Sequence, residues 1–387
     1  MAVRDRWTTL RDMPILTRAP ARVRRVCLLI DQLGRGGTEK QLVLLAAGLR
    51  DEGVDVTVLV LFEGGPRERE LHDRGVRVVR LGLRRIGGAP WTAAANGWAL
   101  GRLVALLRRE LPDVLHCFLT RGYLLGVPAG RLAGVPVVVS GRRSVAPPGG
   151  RVLKAAVRGA NRLTDLVIAN AYAVANRAAH AESLTLGKLA VVYNGLPASA
   201  FDPVPPLPLD ARAPVLACVA NLRPEKGHRD LLAAASRTGC VVALAGEGPE
   251  RAALQCEAGR LGVDARFLGA VADVRPLLAR ADAVVLPSLV EGLSNAVMEA
   301  MAAGRPVIAT AVGGTPELLG GEPRRGLLVP PKAPDALAQA ITEVLGGAHP
   351  GLGETARNWA KSTLGIDQLV AEHIRLYGEQ LERLCAE

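Results

Sequence analysis

The sequence predicts an α/β protein of two domains, each built on a doubly wound parallel sheet. A chain of 387 residues exceeds the size at which one hydrophobic core stops growing, so two domains are expected. Apolar strand segments alternate with helical segments from residue 25, and the alternation begins again at residue 213. Such alternation is typical of parallel sheets with helices on both faces. Two such sheets facing each other leave a cleft, and their ligands bind beyond the carboxyl ends of the strands.

The strand segments in the two halves justify this prediction in chain order. RVCLLIDQL (residues 25–33) is followed by the loop GRGGTEK and a helix through QLVLLAAGLRDEG. Further helices are expected in RERELHDRG and near residues 93–110, and the chain from about residue 354 reads as helical. The remaining strand segments are residues 54–62, 76–83, 112–118, 135–141 and 165–171 in the first half, and 213–222, 240–248, 265–271, 282–288, 305–311 and 326–330 in the second.

The Pro-rich, polar segment that begins at Asn194 (NGLPASAFDPVPPLPLDARAP) has the composition of an interdomain linker. It divides the chain into five expected parts. These are a basic flexible arm (1–24), an N-terminal Rossmann-like domain (25–193), the linker (194–213), a C-terminal Rossmann-like domain (214–353) and a helical tail (354–387).

The composition excludes several classes of function. The sequence has no run of eighteen apolar residues, which argues against a membrane span, and its first 25 residues lack the apolar core of a signal peptide. Aromatic residues are only 3% of the chain and no nucleic-acid-binding module is recognisable, so nucleic acid is not an expected partner. The six cysteines are scattered, which favours free thiols in a reducing cytosol over a zinc site.

The net charge of +11 is distributed unevenly. Residues 1–194 carry 30 Lys and Arg against 15 Asp and Glu, whereas residues 195–387 carry 18 against 22. One explanation is compositional drift, since 42 of the 48 basic residues are arginine. The alternative is that the basic half meets an anionic partner, such as a membrane surface or a phosphate-bearing acceptor.

A helical stripe of four basic residues is a candidate surface for contact with an anionic partner. In RVLKAAVRGANRL (residues 151–163), Arg151, Lys154, Arg158 and Arg162 are spaced 3, 4 and 4 apart, which places them on one helix face. The stripe is either an ordinary solvated face or a surface that lies on anionic lipid headgroups.

Two glutamates eight positions apart, Glu291 and Glu299, mark the candidate site in PSLVEGLSNAVMEAMAAGRPVIAT. An eight-residue helical offset would rise about 12 Å, too far for a glycosidase carboxylate pair, which lies at about 5–9.5 Å. Two separate contacts to a long ligand fit the spacing better. Ser294 and Asn295 are candidate N-caps of the helix that follows, and its free backbone amides favour a phosphate. Phosphate and carboxylates together describe a nucleotide-sugar site.

At this point the sequence resembles a known family. EGLSNAVME is similar to the E-x7-E motif of the retaining GT-B glycosyltransferases (glycosyl transferases group 1, family four), the large group that includes relatives of sucrose and glycogen synthases. The resemblance extends over nearly the whole chain in the family's order, through LGRGGTEKQLVLLAAGL, PDVLHCF, DLVIANA, VVYNGL, VANLRPEKGHRDLLAAA, GEGPE, FLGAVADVRPLLARADAVVLPS and GRPVIATAVGGTPEL. IDQLVAEHIRLYGEQL resembles the closing helix that returns toward the N-terminal domain. The implied fold is GT-B, with an acceptor-side N-terminal domain and a C-terminal donor-nucleotide domain.

The resemblance implies roles for individual residues. Glu291 would bind hydroxyls of the donor sugar and Glu299 those of the ribose. The amides of Leu293 and Ser294 would hold phosphate or sugar oxygens, with Asn295 as the cap. Lys226 would meet the diphosphate as its negative charge develops. The backbone at Gly36 and Gly37 would also pack against the diphosphate.

The resemblance fails at two positions. The family usually has an arginine five residues before Lys226, where this chain has Asn221, and Arg223 is expected to replace it at the phosphates. Many relatives have a histidine at the position of Arg142, so Arg142 or Arg143 is a candidate for contacts with donor or acceptor oxygens. His116, at the end of a strand, either faces the cleft or packs in the core.

Local patterns complete the expectations. GGTPEL (residues 313–318) predicts a helix that begins at Pro316 with Thr315 as N-cap, and Glu317 is interpreted as structural. The sequence contains no Asp-x-Asp pair and therefore no obvious carboxylate clamp for a divalent metal, so no metal or other cofactor is expected.

We therefore expect a retaining glycosyltransferase that uses a nucleotide-diphosphate sugar, by analogy a UDP-sugar. Its expected acceptor is a glycan or a lipid-linked molecule in envelope polysaccharide or glycolipid assembly, and its expected location is the cytoplasm, at most peripheral on the membrane's inner face. Two alternatives remain open: a non-catalytic nucleotide-sugar-binding partner and a sugar-nucleotide epimerase.

Overall fold

The computed structural model describes residues 22–83, 90–145 and 149–386. The expected basic arm lies outside these ranges except for residues 22–24, in which Val23 is buried.

The N-terminal domain is a parallel sheet of seven strands in the order β3-β2-β1-β4-β5-β6-β7. Its central Val- and Leu-rich strands are almost entirely buried because helices cover both faces, whereas the edge strands β3 and β7 are partly exposed. The strands are β1 Arg25–Ile30, β2 Asp55–Val60, β3 Arg77–Arg80, β4 Val114–Cys117, β5 Val137–Arg142, β6 Leu166–Ala169 and β7 Leu189–Val191. The helices are α1 Gly37–Asp51, α2 Glu68–Asp73, α3 Pro90–Glu110, α4 Leu119–Ala133, α5 Arg151–Leu163 and α6 Tyr172–Glu182, with a 3₁₀ turn at Leu186–Lys188.

The C-terminal domain repeats the plan with six parallel strands in the order β10-β9-β8-β11-β12-β13. The strands are β8 Val215–Val219, β9 Val241–Ala245, β10 Ala265–Gly269, β11 Ala283–Leu286, β12 Val307–Thr310 and β13 Leu327–Val329. The helices are α7 His228–Thr238, α8 Arg251–Leu261, α9 Arg275–Arg280, α10 Asn295–Ala302, α11 Thr315–Leu319, α12 Pro334–Leu345, α13 Leu352–Thr363 and α14 Ile366–Ala386. Two further 3₁₀ turns are Ala198–Phe201 and Pro224–Lys226.

The strand order reverses once in each sheet, between β1 and β4 and between β8 and β11. Ligands of doubly wound sheets bind outside the carboxyl ends of the strands at such reversal points. The loops after β1, β8 and β11 therefore lead directly into the space between the two domains, and they contain the glycine loop, Lys226 and Glu291.

The tail differs from the expectation that residues 354–387 form one returning part. It contains two helices, and the first, α13, packs against α10 of the C-terminal domain. Only α14 crosses to the N-terminal domain, where Leu369, Val370, Leu376 and Tyr377 join the core between α1 and the sheet. The chain crosses at Gly365, directly after Leu364, the C-cap of α13, which is buried in the C-terminal core.

Candidate active site

A cleft of about 720 Å³ lies between the two domains. It is lined by loops that follow the strands of both sheets. From the N-terminal domain come residues 35–38 after β1, Arg143 after β5, Asn170 after β6 and Asn194 after β7. From the C-terminal domain come Asn221, Lys226 and residues 291–296, together with Glu299 on α10.

Glu291 and Lys226 form an ion pair in this cleft. The Lys226 Nζ lies 2.6 Å from Glu291 Oε1, and the Ser288 hydroxyl donates to the same oxygen at 2.7 Å. The Glu291 side chain is only 9% exposed. The loop after β8 and the loop after β11 thus place one ammonium and one carboxylate at a single point, with the carboxylate oriented by a fixed hydroxyl.

The helix α10 begins beside this pair. Ser294 is its N-cap, and the Ser294 hydroxyl accepts from the backbone N–H of Val297 at 3.4 Å. Leu293, just before the cap, is buried. The first helical amides remain at the floor of the cleft, where the helix dipole favours an anion.

The expectation that Asn295 caps this helix is wrong, because Asn295 is its first residue. Its side chain instead bridges the two domains. Its Nδ2 donates to the Gly37 carbonyl at 3.1 Å, and its Oδ1 accepts from Gln41 at 3.2 Å and from Asn194 at 2.8 Å. The glycine loop therefore lies against the start of α10, and a Cβ on Gly37, which would lie 2.8 Å from Asn295 Nδ2, would have to displace this bridging amide.

Glu299 lies one turn further along α10 and has a different partner. The Lys40 Nζ of α1 lies 2.5 Å from Glu299 Oε1, across the cleft. Glu291 and Glu299 are thus held at separate points by separate lysines. This arrangement agrees with two contacts on one long ligand and gives no sign of a shared carboxylate pair.

Arg142 does not reach the cleft, contrary to expectation. It is 5% exposed and forms a buried ion pair with Glu182, with Nη2 and Oε2 at 2.9 Å. Its Nη2 also donates to Asn161 at 2.7 Å, and the guanidinium stacks 3.8 Å from the Tyr123 ring centroid. The side chain that occupies the family's histidine position is therefore part of the domain core.

Arg143, the next residue, does line the cleft. Its Nη1 donates to Asn194 Oδ1 at 2.5 Å and its guanidinium lies 5.3 Å from the Phe118 ring. Withdrawal from water lowers the pKa of Arg143 to about 10. Of the two candidate arginines, only Arg143 is placed to contact a ligand.

His116 packs in the core rather than facing the cleft. It is fully buried, its Nδ1 lies 2.7 Å from the Tyr377 hydroxyl, and it stacks on Phe118 and His373. Burial, with smaller effects of His373 and the Arg143 charge, holds the pKa of His116 well below its ordinary value. This neutral cluster attaches α14 to the N-terminal sheet.

Arg223 is exposed at the start of the 3₁₀ turn Pro224–Lys226 and does not contribute to the cleft lining, whereas Asn221 does. Within residues 22–83, 90–145 and 149–386, no group of three or more His, Cys, Asp or Glu side chains is arranged to hold a metal ion.

Glu317 has a structural contact between the domains. Its carboxylate accepts from the backbone N–H groups of Tyr172 at 2.9 Å and Ala173 at 2.8 Å, at the start of α6, and from the Tyr193 hydroxyl at 3.1 Å. Burial raises the pKa of Glu317 despite these hydrogen bonds. Its own helix α11 begins at Thr315, with Gly314 as the N-cap, one residue earlier than predicted.

Sequence reasoning missed four residues of the cleft and its border: Lys40, Gln41, Asn170 and Asn194. Gln41 is 1% exposed and exchanges two hydrogen bonds with the Gly195 backbone. A usable signal existed for Asn170 and Asn194, since each is a polar residue just beyond an apolar strand. Nothing in the sequence indicated the partners of Lys40 and Gln41, which lie more than 150 positions away.

Comparison with known proteins identifies the family. A model described as Glycosyltransferase Family 4 matches residues 35–199, and one described as Glycosyl transferases group 1 matches residues 213–346. The two matches are consecutive and together span most of the chain. This chain is a group 1, family four glycosyltransferase.

Individual relatives agree with this assignment. The glycosyltransferase is 27% identical over 332 residues to the lipopolysaccharide core biosynthesis glycosyltransferase LpsE of Rhizobium meliloti, covering 80% of this chain and 86% of LpsE. It is 29% identical over 364 residues to the 2-deoxystreptamine N-acetyl-D-glucosaminyltransferase of Streptomyces fradiae, covering 81% and 83% of the two chains. The chain is thus a hexosyltransferase-type enzyme.

The predicted GT-B architecture is confirmed by solved structures. Anabaena HepE, solved in complex with UDP-glucose, superposes on this glycosyltransferase with a TM-score of 0.78 at 22% identity, covering 93% of this chain and 99% of HepE.

Proposed function

We propose that this glycosyltransferase transfers a hexose from a UDP-sugar to a glycan or lipid-linked acceptor with retention of configuration at the anomeric carbon. The observation that carries the proposal is the Lys226–Glu291 ion pair beside the N-terminus of α10. The loops after β8 and β11 there bring together a carboxylate that can bind sugar hydroxyls, a cation that can bind phosphate, and free amides at a helix start.

The donor would extend along the cleft from Glu291 to Glu299. Glu291 binds the sugar hydroxyls, Lys226 and the first amides of α10 bind the diphosphate, and Glu299 exchanges Lys40 for the ribose hydroxyls. The solved complex of HepE with UDP-glucose supports uridine as the base.

The transfer step forms one bond and breaks one bond at the same carbon. An acceptor hydroxyl oxygen attacks the anomeric carbon on the face from which the diphosphate departs, and its proton passes to the leaving phosphate oxygen. Lys226 and the α10 amides stabilise the charge on the departing diphosphate. In this proposal they do the work of a divalent cation, so chelation with EDTA should leave the rate unchanged.

The acceptor is assigned more broadly. The name of LpsE, a lipopolysaccharide core enzyme, supports envelope glycans or glycolipids. The name of the Streptomyces relative, which acts on 2-deoxystreptamine, makes a small aminocyclitol the second candidate.

A lipid-linked acceptor would be reached from the membrane surface, through peripheral contact on its inner face. None of the helices in the described part of the chain combines the length and apolar character needed to cross a bilayer. The four basic residues of the α5 stripe are all exposed, and Val152 beside them is 85% exposed. Exposed cations next to an exposed apolar side chain suit anionic headgroups. Flotation with anionic and with neutral liposomes tests the contact, and equally negligible binding to both would exclude it.

Donor binding is tested by calorimetric titration with UDP-glucose, GDP-mannose, ADP-glucose and TDP-glucose. We expect binding of the UDP-sugar, strong weakening in Glu299→Ala and Lys226→Ala, and no change in the matched surface controls Glu354→Ala and Lys361→Ala on α13. Absence of binding for all four donors would contradict the proposal. Binding without product from any acceptor would favour a non-catalytic nucleotide-sugar-binding role, and interconversion of the bound sugar would indicate an epimerase.

A further inference from the structure

Three polar side chains stand at the carboxyl ends of three adjacent strands of the N-terminal sheet. Arg143 follows β5, Asn170 follows β6 and Asn194 follows β7, and all three line the cleft. We call them the polar wall. The wall lies directly against the loop that holds Glu291, since a Cβ on Gly292 would lie 2.2 Å from the Arg143 carbonyl oxygen and 3.5 Å from Asn170 Nδ2.

Among the residues that the structure describes, the positive charge of the polar wall has no counterion. Arg143 has Asn194 as its hydrogen-bond partner and Phe118 as its ring contact, both neutral. In the described part of the chain, no carboxylate lies within ion-pair distance of it. The Arg143 charge also acts on His116, His373 and Tyr377, and burial shifts the pKa of each of these side chains toward its neutral form. Arg143 is only partly buried, and a partly buried guanidinium without a counterion is stabilised by a ligand that supplies one.

The neighbouring Arg142 shows that the lack of a counterion is specific to Arg143 and is not a general property of arginines in this domain. Arg142 is more deeply buried, and the chain provides Glu182 for it at 2.9 Å. Two consecutive arginines therefore have opposite arrangements: one is neutralised inside the domain, and the other presents an uncompensated charge to the cleft.

The polar wall also contains an unsatisfied acceptor. Asn170 is 3% exposed, and its Oδ1 has no hydrogen-bond partner. Buried side-chain oxygens are nearly always hydrogen-bonded, so this enclosed oxygen would be stabilised by accepting from a ligand N–H or O–H. The wall thus offers a cation and a hydrogen-bond acceptor on adjacent strands.

We infer that the polar wall binds an anionic oxygen, of a phosphate or a carboxylate, through Arg143, and an adjacent ligand hydroxyl through Asn170 Oδ1. The inference rests on the proposed function and narrows its substrate class. The anion is either part of the donor diphosphate, where Arg143 replaces the arginine missing at Asn221, or a charged group on the acceptor. In the second case the site disfavours a cationic acceptor such as an aminocyclitol.

The test measures equilibrium binding to the wild type and to Arg143→Gln, Arg143→Lys and Arg177→Gln. Arg177 is an exposed arginine of α6 outside the cleft and serves as the matched control. The probes are UDP, UDP-glucose, and inorganic phosphate titrated with and without saturating UDP. Thermal melting of each variant verifies that it is folded.

We expect Arg143→Gln to lower the affinity for one probe by about tenfold or more, the effect of losing one charge-assisted hydrogen bond. Arg143→Lys should keep part of this affinity, and Arg177→Gln should keep all of it. Weaker UDP binding assigns the anion to the donor. Unchanged UDP binding with loss of phosphate beside UDP assigns it to the acceptor. Equal affinities of Arg143→Gln and wild type for every probe would overturn the inference. Failure of wild type to bind UDP or UDP-glucose would instead contradict the proposed function, and phosphate alone would still report on Arg143.

Discussion

Replacement of Arg142 by methionine should destabilise the N-terminal domain far more than an ordinary substitution. Arg142 is 5% and Glu182 7% exposed. The guanidinium contacts both Glu182 oxygens, with Nε 3.1 Å from Oε1 and 3.0 Å from Oε2. Methionine retains much of the packing volume but leaves the Glu182 charge buried without a counterion, with only the Asn161 amide as hydrogen-bond donor. Breaking a buried pair in this way costs about 3–5 kcal/mol, a large part of the 5–15 kcal/mol by which a typical protein is stable.

Urea unfolding followed by far-UV circular dichroism measures this cost. The double variant Arg142→Met/Glu182→Leu removes both charges and should recover much of the loss, since apolar replacement of a buried pair is often neutral. A loss below about 1 kcal/mol in the single variant, or no recovery in the double, would refute the reasoning. Donor affinity of the folded single variant should match wild type, because Arg142 lies outside the cleft.

Three further predictions concern the contacts between the parts of the molecule. Gly292→Ala places a Cβ 2.2 Å from the Arg143 carbonyl oxygen, although contacts below 3.0 Å essentially never occur. The Gly292 loop and Arg143 must therefore move apart by about 0.8 Å, which should lower the transfer rate about a hundredfold with little change in melting temperature. An unchanged rate would show that the cleft tolerates this opening. Glu317→Ala removes the acceptor of two α6 amides and should cost about 1–2 kcal/mol in urea unfolding, with Glu322→Ala as the surface control; equal stabilities would contradict the capping role. Burial lowers the pKa of His373 from 6.5 to about 4, so the unfolded chain binds a proton that the folded chain does not, and the free energy of unfolding should fall as the pH decreases from about 6.5 to about 4. His373→Leu should reduce this pH dependence, and substitution of the exposed His180 by leucine should not. The same pH dependence in His373→Leu and wild type would rule out His373 as its cause.

The fold could be predicted from the sequence because its strands are buried on both faces. A strand such as β5 is a continuous apolar run, which is readable without knowledge of its neighbours. The same physics located the site at the strand ends, and Glu291, Lys226 and Ser294 lie there. The start of α11 was missed by one residue, since Thr315 and Gly314 can both precede Pro316.

The roles of Arg142, Arg143, His116 and Asn295 could not be predicted because they depend on partners distant in sequence. Arg142 is neutralised by a glutamate forty positions away, and the His116 partner Tyr377 is 261 positions away. Arg142 and Arg143 are adjacent arginines at the end of a strand, and nothing in the sequence distinguishes their roles. Only the alternation of side chains along β5 turns one into the domain and leaves the next at the cleft.

The crossing of α14 has a consequence for how this protein is made. The N-terminal domain leaves the ribosome first, yet its core is completed by Leu376 and Tyr377, which are synthesised only after the whole C-terminal domain. Until then the surface over His116 and α1 stays uncovered while the whole C-terminal domain is translated and folds. The two domains therefore mature in the reverse of their order of synthesis, and a chain that stops shortly before α14 releases an intact donor-side domain joined to an unfinished one, a species that quality control can recognise by its exposed apolar surface.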